Sequence, residues 1–276
     1  MNNNILNLKV VIKGAGEMAT GIACRLFMAN LKQIVMTEIA KPLTVRRTVA
    51  FSEVIYEKEW MVEGVAAGLA ASADEIVKIW KEGKIAVIID PEWKIIEEMK
   101  PDVVIDAIMA KRNIGTKKNE APLVIGAGPG FSAPQDVHAV VESNRGQNLG
   151  RVFYNGTAEP HTGIPGPVMG YTTERVLRTP HEGMVKHVKA IGDYVKKGET
   201  VMFVNDTPVQ APFDGLLRGL IREIHVETNE KIGDIDPKAT KEYCYIITEK
   251  ARAIGGGVLE AIMHFFLHNN RAESIL

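Results

Sequence analysis

Four stretches of the chain bring together residue types that can grip a phosphorylated or otherwise anionic ligand. Gly14-Ala15-Gly16-Glu17-Met18-Ala19-Thr20-Gly21 follows an apolar run and opens a helical one, the setting a dinucleotide-type loop requires. Glycines there let the backbone approach a phosphate, and the helix N-terminus adds free N–H groups and partial positive charge. Gly14, Gly16 and Gly21 are the candidate contacts. Gly21 falls later than the third glycine of G-x-G-x-x-G, and Glu17 would face an incoming anion. The alternative is a tight strand–helix turn with no nucleotide. Glu38 ends the next apolar run, 22 residues after Gly16, where a carboxylate can hold a ribose hydroxyl.

The second stretch, Lys111-Arg112-Asn113-Ile114-Gly115-Thr116, comes soon after an apolar run ending at Asp106. Guanidinium, ammonium, amide and hydroxyl groups together make an oxyanion clamp. Arg46, beside Arg47, is a weaker candidate of the same kind, and Lys117-Lys118 reads as solvated charge. The third stretch is Gly126-Ala127-Gly128-Pro129-Gly130-Phe131. Gly128 and Gly130 could cradle an anion, and Phe131 could offer a stacking face. The fourth, around Arg145, Gly146 and Gly150, is a Gly-flanked loop that also fits an ordinary surface turn.

Other chemistries find less support. Asp234 and Asp236 stand at i and i+2, too few ligands for a hard cation and better read as a turn, so no metal is expected. His161, His181, His187 and His225 lack ligand spacing. Nucleophile elbow, Walker and CxxC motifs are missing. Cys24 lies on an apolar helical face and reads as packing; Cys244 reads as a small hydrophobe in a strand over 243–247, its alternative being a soft nucleophile.

The elements that must position these residues follow from the apolar pattern. Strands are predicted at Val10–Ile12, Ile34–Met36, Ile85–Ile89, Val103–Ile105 and Leu123–Ile125, and helices over 18–29, 74–80 and 93–99. Ser72 is the expected cap of the second helix. Uninterrupted apolar runs alternating with helices imply a parallel sheet covered on both faces. Residues 143–173 are rich in Gly and Pro and hold the domain boundary. Beyond them, two short acidic-Gly-apolar segments starting at Glu182 and Asp214 form a faint repeat. They resemble the halves of a biotinyl/lipoyl-type barrel-sandwich module, without a lysine on the hairpin between them. The expected fold class is therefore α/β. A Rossmann-like parallel-sheet domain (1–150) leads through a connector (151–173) to a small β-rich, barrel-sandwich-like domain with a C-terminal helix (174–276).

The 276 residues include 46% hydrophobic and 24% charged, with 33 Lys+Arg against 34 Asp+Glu. Disorder is excluded on this composition. Near-neutral charge speaks against a nucleic-acid partner. No apolar run reaches the roughly 20 residues a bilayer requires, no secretory pattern opens the chain, and two cysteines make no disulfide framework. A cytoplasmic setting is expected.

Taken in order, VVIKGAGEMATGIA, DAIMAKRNIGT, PLVIGAGPGF, RGQNLGRV, TGIPGPVMG, KIGDIDP and EKARAIGGGVLEAI resemble the YqeB family, the selenium-dependent molybdenum hydroxylase accessory proteins. The matching stretches span residues 10 to 262. The resemblance implies a cytoplasmic maturation factor with an XdhC-like Rossmann part that binds or handles a molybdopterin-type cofactor. A molybdenum hydroxylase client, a sulfur or selenium donor protein and self-association would be its partners. It fixes no catalytic residue. Where many relatives carry Arg-Gly-His, this chain has Arg145-Gly146-Gln147, so no imidazole stands there. Two other functions remain open: an NAD(P)-dependent oxidoreductase, with Glu38 favouring NAD, and a non-enzymatic scaffold with a vestigial nucleotide site.

Overall fold

The structure is a computed structural model that describes residues 5–161, 163, 166, 168–238 and 240–273. Connector residues 162, 164, 165 and 167 lie outside the described set. The chain divides into two units. The first holds residues 1–42, 50–161 and 247–276, and the second holds 43–49 and 162–246.

In the first unit, β1 (Lys9–Lys13), β2 (Gln33–Glu38), β3 (Glu59–Val62), β4 (Val65–Ala70), β5 (Ile85–Ile89), β6 (Val103–Asp106), β7 (Leu123–Ala127), β8 (Ser132–Ala133), β9 (Ala139–Val141), β10 (Val152–Phe153) and β11 (Gly156–Thr157) alternate with α1 (Glu17–Met28), α2 (Val54–Glu57), α3 (Ala73–Lys81) and α4 (Ile95–Met99). Nine strands form one sheet in the order β10-β9-β7-β6-β1-β2-β5-β4-β3, and β8 pairs with β11 separately. The central strands are apolar on both faces: Val10, Val11, Ile12, Val103, Val104, Ile105, Val124 and Ile125 are fully buried, as strands covered on both sides must be. Ser72 caps α3 by accepting the Glu75 N–H.

The expected Rossmann-like parallel sheet is corrected here: the sheet is mixed. β3 and β4 form an antiparallel hairpin at one edge, and β10 runs antiparallel to β9 at the other. The hairpin turn explains the first. Glu63 and Gly64 both have positive φ (47° and 81°), which suits a two-residue turn that sends the chain straight back. A helical crossover would have kept the strands parallel.

The final helix, α5 (Glu249–Glu273), belongs to this first unit. The sequence pattern groups it with the β-rich domain. Gly255, Gly256 and Gly257 lie inside it. A Cβ on Gly255 would meet the Gly21 carbonyl oxygen at 3.0 Å, and one on Gly257 would strike the Gly150 carbonyl oxygen. Close packing thus offsets the poor helix propensity of glycine.

The second unit contains β12 (Val176–Arg178), β13 (Gly183–His187), β14 (Tyr194–Val195), β15 (Thr200–Val204), β16 (Thr207–Gln210), β17 (Gly215–Leu220), β18 (His225–Val226) and β19 (Lys231–Asp236). They form two four-stranded antiparallel sheets, β12-β19-β17-β14 and β16-β15-β13-β18. The two segments of the faint repeat interleave, β13 pairing with β18 and β14 with β17. The pair of sheets is not a clear barrel-sandwich, which corrects the second half of the expected fold. Val195, Val201, Met202, Val204, Leu217 and Ile235 centre the core. Among the described residues no helix is long and apolar enough to cross a membrane.

Candidate functional site

The glycine loop lies between β1 and α1, as its sequence context predicts, yet protein groups fill much of it. Gly14 has φ +92°, and a Cβ there would press on the Ala107 carbonyl oxygen at 3.3 Å. Gly16 is the N-cap of α1. The Ala15 N–H, a natural phosphate donor, gives its hydrogen to Glu38 Oε2 at 2.9 Å, and Ile39 N–H donates to Glu38 Oε1 at 2.8 Å. Burial pushes Glu38 above the usual carboxylate range, opposed by these two backbone hydrogen bonds. Glu38 therefore braces the loop through Oε2, while Oε1 is taken by the backbone of the residue that follows it. Gly21 sits deeper along α1: a Cβ there would lie 2.6 Å from Ala251 Cβ, so its smallness serves helix packing.

The loop 126–131 also turns toward protein. A Cβ on Gly128 (φ +84°) would lie 2.6 Å from Ser143 Oγ, and one on Gly130 (φ +110°) would lie 2.5 Å from Arg112 Cα. These glycines admit neighbouring chain. Phe131 is 5% exposed within the apolar core and offers no stacking face. Arg46 falls in the second unit, where its guanidinium donates to the Tyr243 and Ile246 carbonyls at 3.1 Å each. Arg145 is spent on Glu249, with Nε and Nη2 both 2.8 Å from Oε1.

Lys111 and Arg112 behave differently. Both are exposed on the loop that leaves the carboxyl end of β6. Among the described residues neither side chain makes a hydrogen bond or ion pair with the protein. Asn113 shapes the same loop: its Oδ1 accepts from the Gly115 and Thr116 N–H groups at 2.9 and 2.8 Å, and its Nδ2 donates to the Thr116 carbonyl at 2.9 Å.

Two further basic side chains are linked to Lys111, His161 directly and Lys250 through His161. His161 is held below its ordinary value by burial, then by the charges of Lys111 and Lys250. Lys250, in the first turn of α5, is held low by burial first and by Arg145 second, while Glu17, Glu142 and Glu249 oppose the shift. Glu17 Oε1 is buried without a hydrogen-bond partner among the described residues. Glu142 is fully buried and accepts from the Ser143, Asn144 and Glu159 N–H groups, each at 2.7 Å, which fixes the loop bearing Arg145.

Sequence reading missed Lys250 and the buried Lys13. Each carried a signal. Lys250 places a cation where the helix dipole favours an anion, and Lys13 places one directly after the apolar run Val10–Ile12.

The remaining candidates are structural. Asp234 lies 3.7 Å from Arg175, and Asp236 lies 3.9 Å from Arg175 and 3.3 Å from Arg218, so both carboxylates serve ion pairs. Cys244 is fully buried in a 3-10 turn, Lys241–Tyr245, and not in the expected strand. Burial raises its thiol pKa. Cys24 packs inside the first unit, its pKa pushed up to about 12 by burial, with Glu63 adding. No group of three or more metal-ligating side chains occurs among the described residues.

These features define a mixed α/β protein with a basic loop at the carboxyl ends of its central strands. No family model matches the chain. It is 46% identical to YqeB of Escherichia coli (strain K12), an uncharacterized protein, over 255 residues. That match takes in 92% of this chain and 47% of the relative, so the chain spans about half the length of the curated relative. The likeness supports the YqeB family name. Among solved structures, an aspartoacylase family protein from Mesorhizobium loti has a TM-score of 0.27 at 12% identity, covering 84% of this chain and 86% of that one. A succinylglutamate desuccinylase/aspartoacylase from Rhodobacter sphaeroides has 0.27 at 11%, covering 84% and 87%. Overlap this loose carries no argument about function.

Proposed function

We propose that the chain is an accessory protein that holds a small phosphorylated ligand, a molybdopterin-type cofactor, during maturation of a selenium-dependent molybdenum hydroxylase. The observation that supports it is the pair Lys111 and Arg112, exposed on a β-strand-end loop and unspent on protein acids among the described residues. A guanidinium and an ammonium side by side suit a phosphate monoester. Lys250 and His161 add positive charge nearby when protonated. The client hydroxylase and a sulfur or selenium donor would act as partners in the cytoplasm.

The test is retention of molybdopterin by the purified protein, followed by its fluorescence. Wild type should retain the ligand, and the double variant Lys111→Ala/Arg112→Ala should not. No retention by wild type, or equal retention by the variant, overturns the reading.

One observation favours a second reading, a scaffold without ligand. The Ala15 N–H is taken by Glu38 and Gly21 is packed on Ala251, so part of the nucleotide-type loop is filled. Complex formation with a hydroxylase, beside an empty binding assay at millimolar ligand, would support that alternative.

A further inference from the structure

We infer that Lys13, Thr116 and Asp106 form a latch that positions the 107–116 loop, and so Lys111 and Arg112, for an anion; this rests on the ligand reading of that loop. Asp106 ends β6 at the entry to the loop and Thr116 closes its exit. Thr116 Oγ1 donates to Asp106 Oδ2 at 2.7 Å. The ammonium of Lys13, the last residue of β1, donates to the same Thr116 Oγ1 at 2.8 Å. The hydrogen bonds thus run in one direction, from Lys13 through Thr116 to Asp106. Asp106 Oδ1 accepts the Ile108 N–H at 3.1 Å, which fixes the first turn of the loop as well.

The latch is enclosed. Lys13 is 0% exposed, Thr116 3% and Asp106 3%. Glu120 brackets the Lys13 ammonium with its two oxygens at 2.9 and 2.7 Å, and the Trp93 ring lies 3.8 Å from it. A buried ammonium persists only with such partners, because its desolvation is costly. Burial holds Lys13 below its ordinary value, against the pull of Glu120 and Asp106.

The loop needs such a hold. Met109 and Lys111 have φ of +63° and +64°, a left-handed backbone that costs roughly 1–2 kcal/mol per non-glycine residue. Residues in such conformations persist only when their surroundings over-determine them. The Asn113 turn ends on the Thr116 backbone, while the Thr116 hydroxyl ties that end to β1 and β6. Shape is therefore imposed on Lys111 and Arg112 from a residue that touches neither.

Thr116→Val tests this, since it removes the hydroxyl, keeps the volume and leaves the Lys13–Glu120 ion pair. The probe is inorganic pyrophosphate, measured by calorimetry, alongside amide hydrogen exchange. Affinity should fall about tenfold or more, the worth of one charge-assisted hydrogen bond. Exchange should quicken over 107–116 and not in β1 or β2. Thr116→Ser should restore both. Unchanged affinity with unchanged loop exchange in Thr116→Val overturns the latch, as does failure of serine to rescue. Absence of pyrophosphate binding by wild type counts against the ligand reading alone, because loop exchange still decides the latch.

Discussion

Gly21 and Ala251 meet at the crossing of α1 and α5, where a Cβ on Gly21 would stand 2.6 Å from Ala251 Cβ and 3.1 Å from the Ala251 backbone. Neither neighbour is the tip of a flexible side chain, so the helices must separate to admit more volume. Gly21→Val should destabilise the first unit by about 2–3 kcal/mol, the cost of overpacking, read as a lower urea midpoint. Pyrophosphate affinity should not change in the folded fraction. An unaltered midpoint would refute this account of Gly21.

The two cysteines should be silent in the folded protein. Cys24 has its thiol pKa near 12 and Cys244 is raised in the same direction, each chiefly by burial. Only the thiolate reacts. At pH 8 a disulfide reagent should titrate essentially no thiol in buffer and both in denaturant. Rapid native labelling of Cys244 would revive it as a nucleophile.

Arg46 should prove structural. Removing its guanidinium leaves the Tyr243 and Ile246 carbonyls without their donor, at about 1.5–3 kcal/mol per charge-assisted hydrogen bond. Arg46→Ala should lower the unfolding midpoint of the second unit and leave pyrophosphate binding by the first intact. A selective loss of binding would contradict this placement.

His187 gives the second unit a pH dependence. Its Nε2 donates to the Ile221 carbonyl at 2.7 Å, and burial, with Arg47 adding, holds its pKa below the ordinary 6.5. As pH falls through 6.5 the unfolded chain takes up a proton that the folded chain still refuses. The unfolded state then binds more protons, so stability declines with falling pH until the folded value is passed. His187→Gln should flatten that decline in a urea series from pH 7.5 downward. An identical slope would assign the dependence to other groups.

Much of the first unit was legible because buried parallel strands leave long apolar runs, as at Val10–Ile12 and Val103–Ile105. The β3–β4 hairpin was not, because β3 (EWMV) mixes polar with apolar residues, β4 (VAAGLA) is rich in small ones, and the Glu63-Gly64 turn is an uncommon dipeptide signal. The glycines misled for a physical reason. Gly21, Gly128 and Gly130 have the smallness a phosphate requires, and a close helix or backbone requires the same smallness. Composition cannot say which neighbour arrives. For Lys111 and Arg112 the structure shows exposed side chains on a loop beyond β6. The Thr116 hydroxyl reads as part of the clamp, and its actual partners were not legible, since Lys13 and Asp106 come from β1 and β6, 103 residues away in one case.

The placement of α5 sets an order on biosynthesis. The chain leaves the first unit at residue 161 and re-enters it only at 247. Every strand of both units has been synthesised before α5 begins, yet Ala251, Ile254, Val258 and Ile262 are fully buried in the finished fold. A nascent chain stopped at residue 246 would hold all nine strands of the large sheet, with one side of α1 and the α5-covered parts of β7, β9 and β10 still bare. Domains fold as their last segment emerges, so the later-encoded second unit closes first. The earlier-encoded unit stays open, and dependent on protection from aggregation, until the final helix docks.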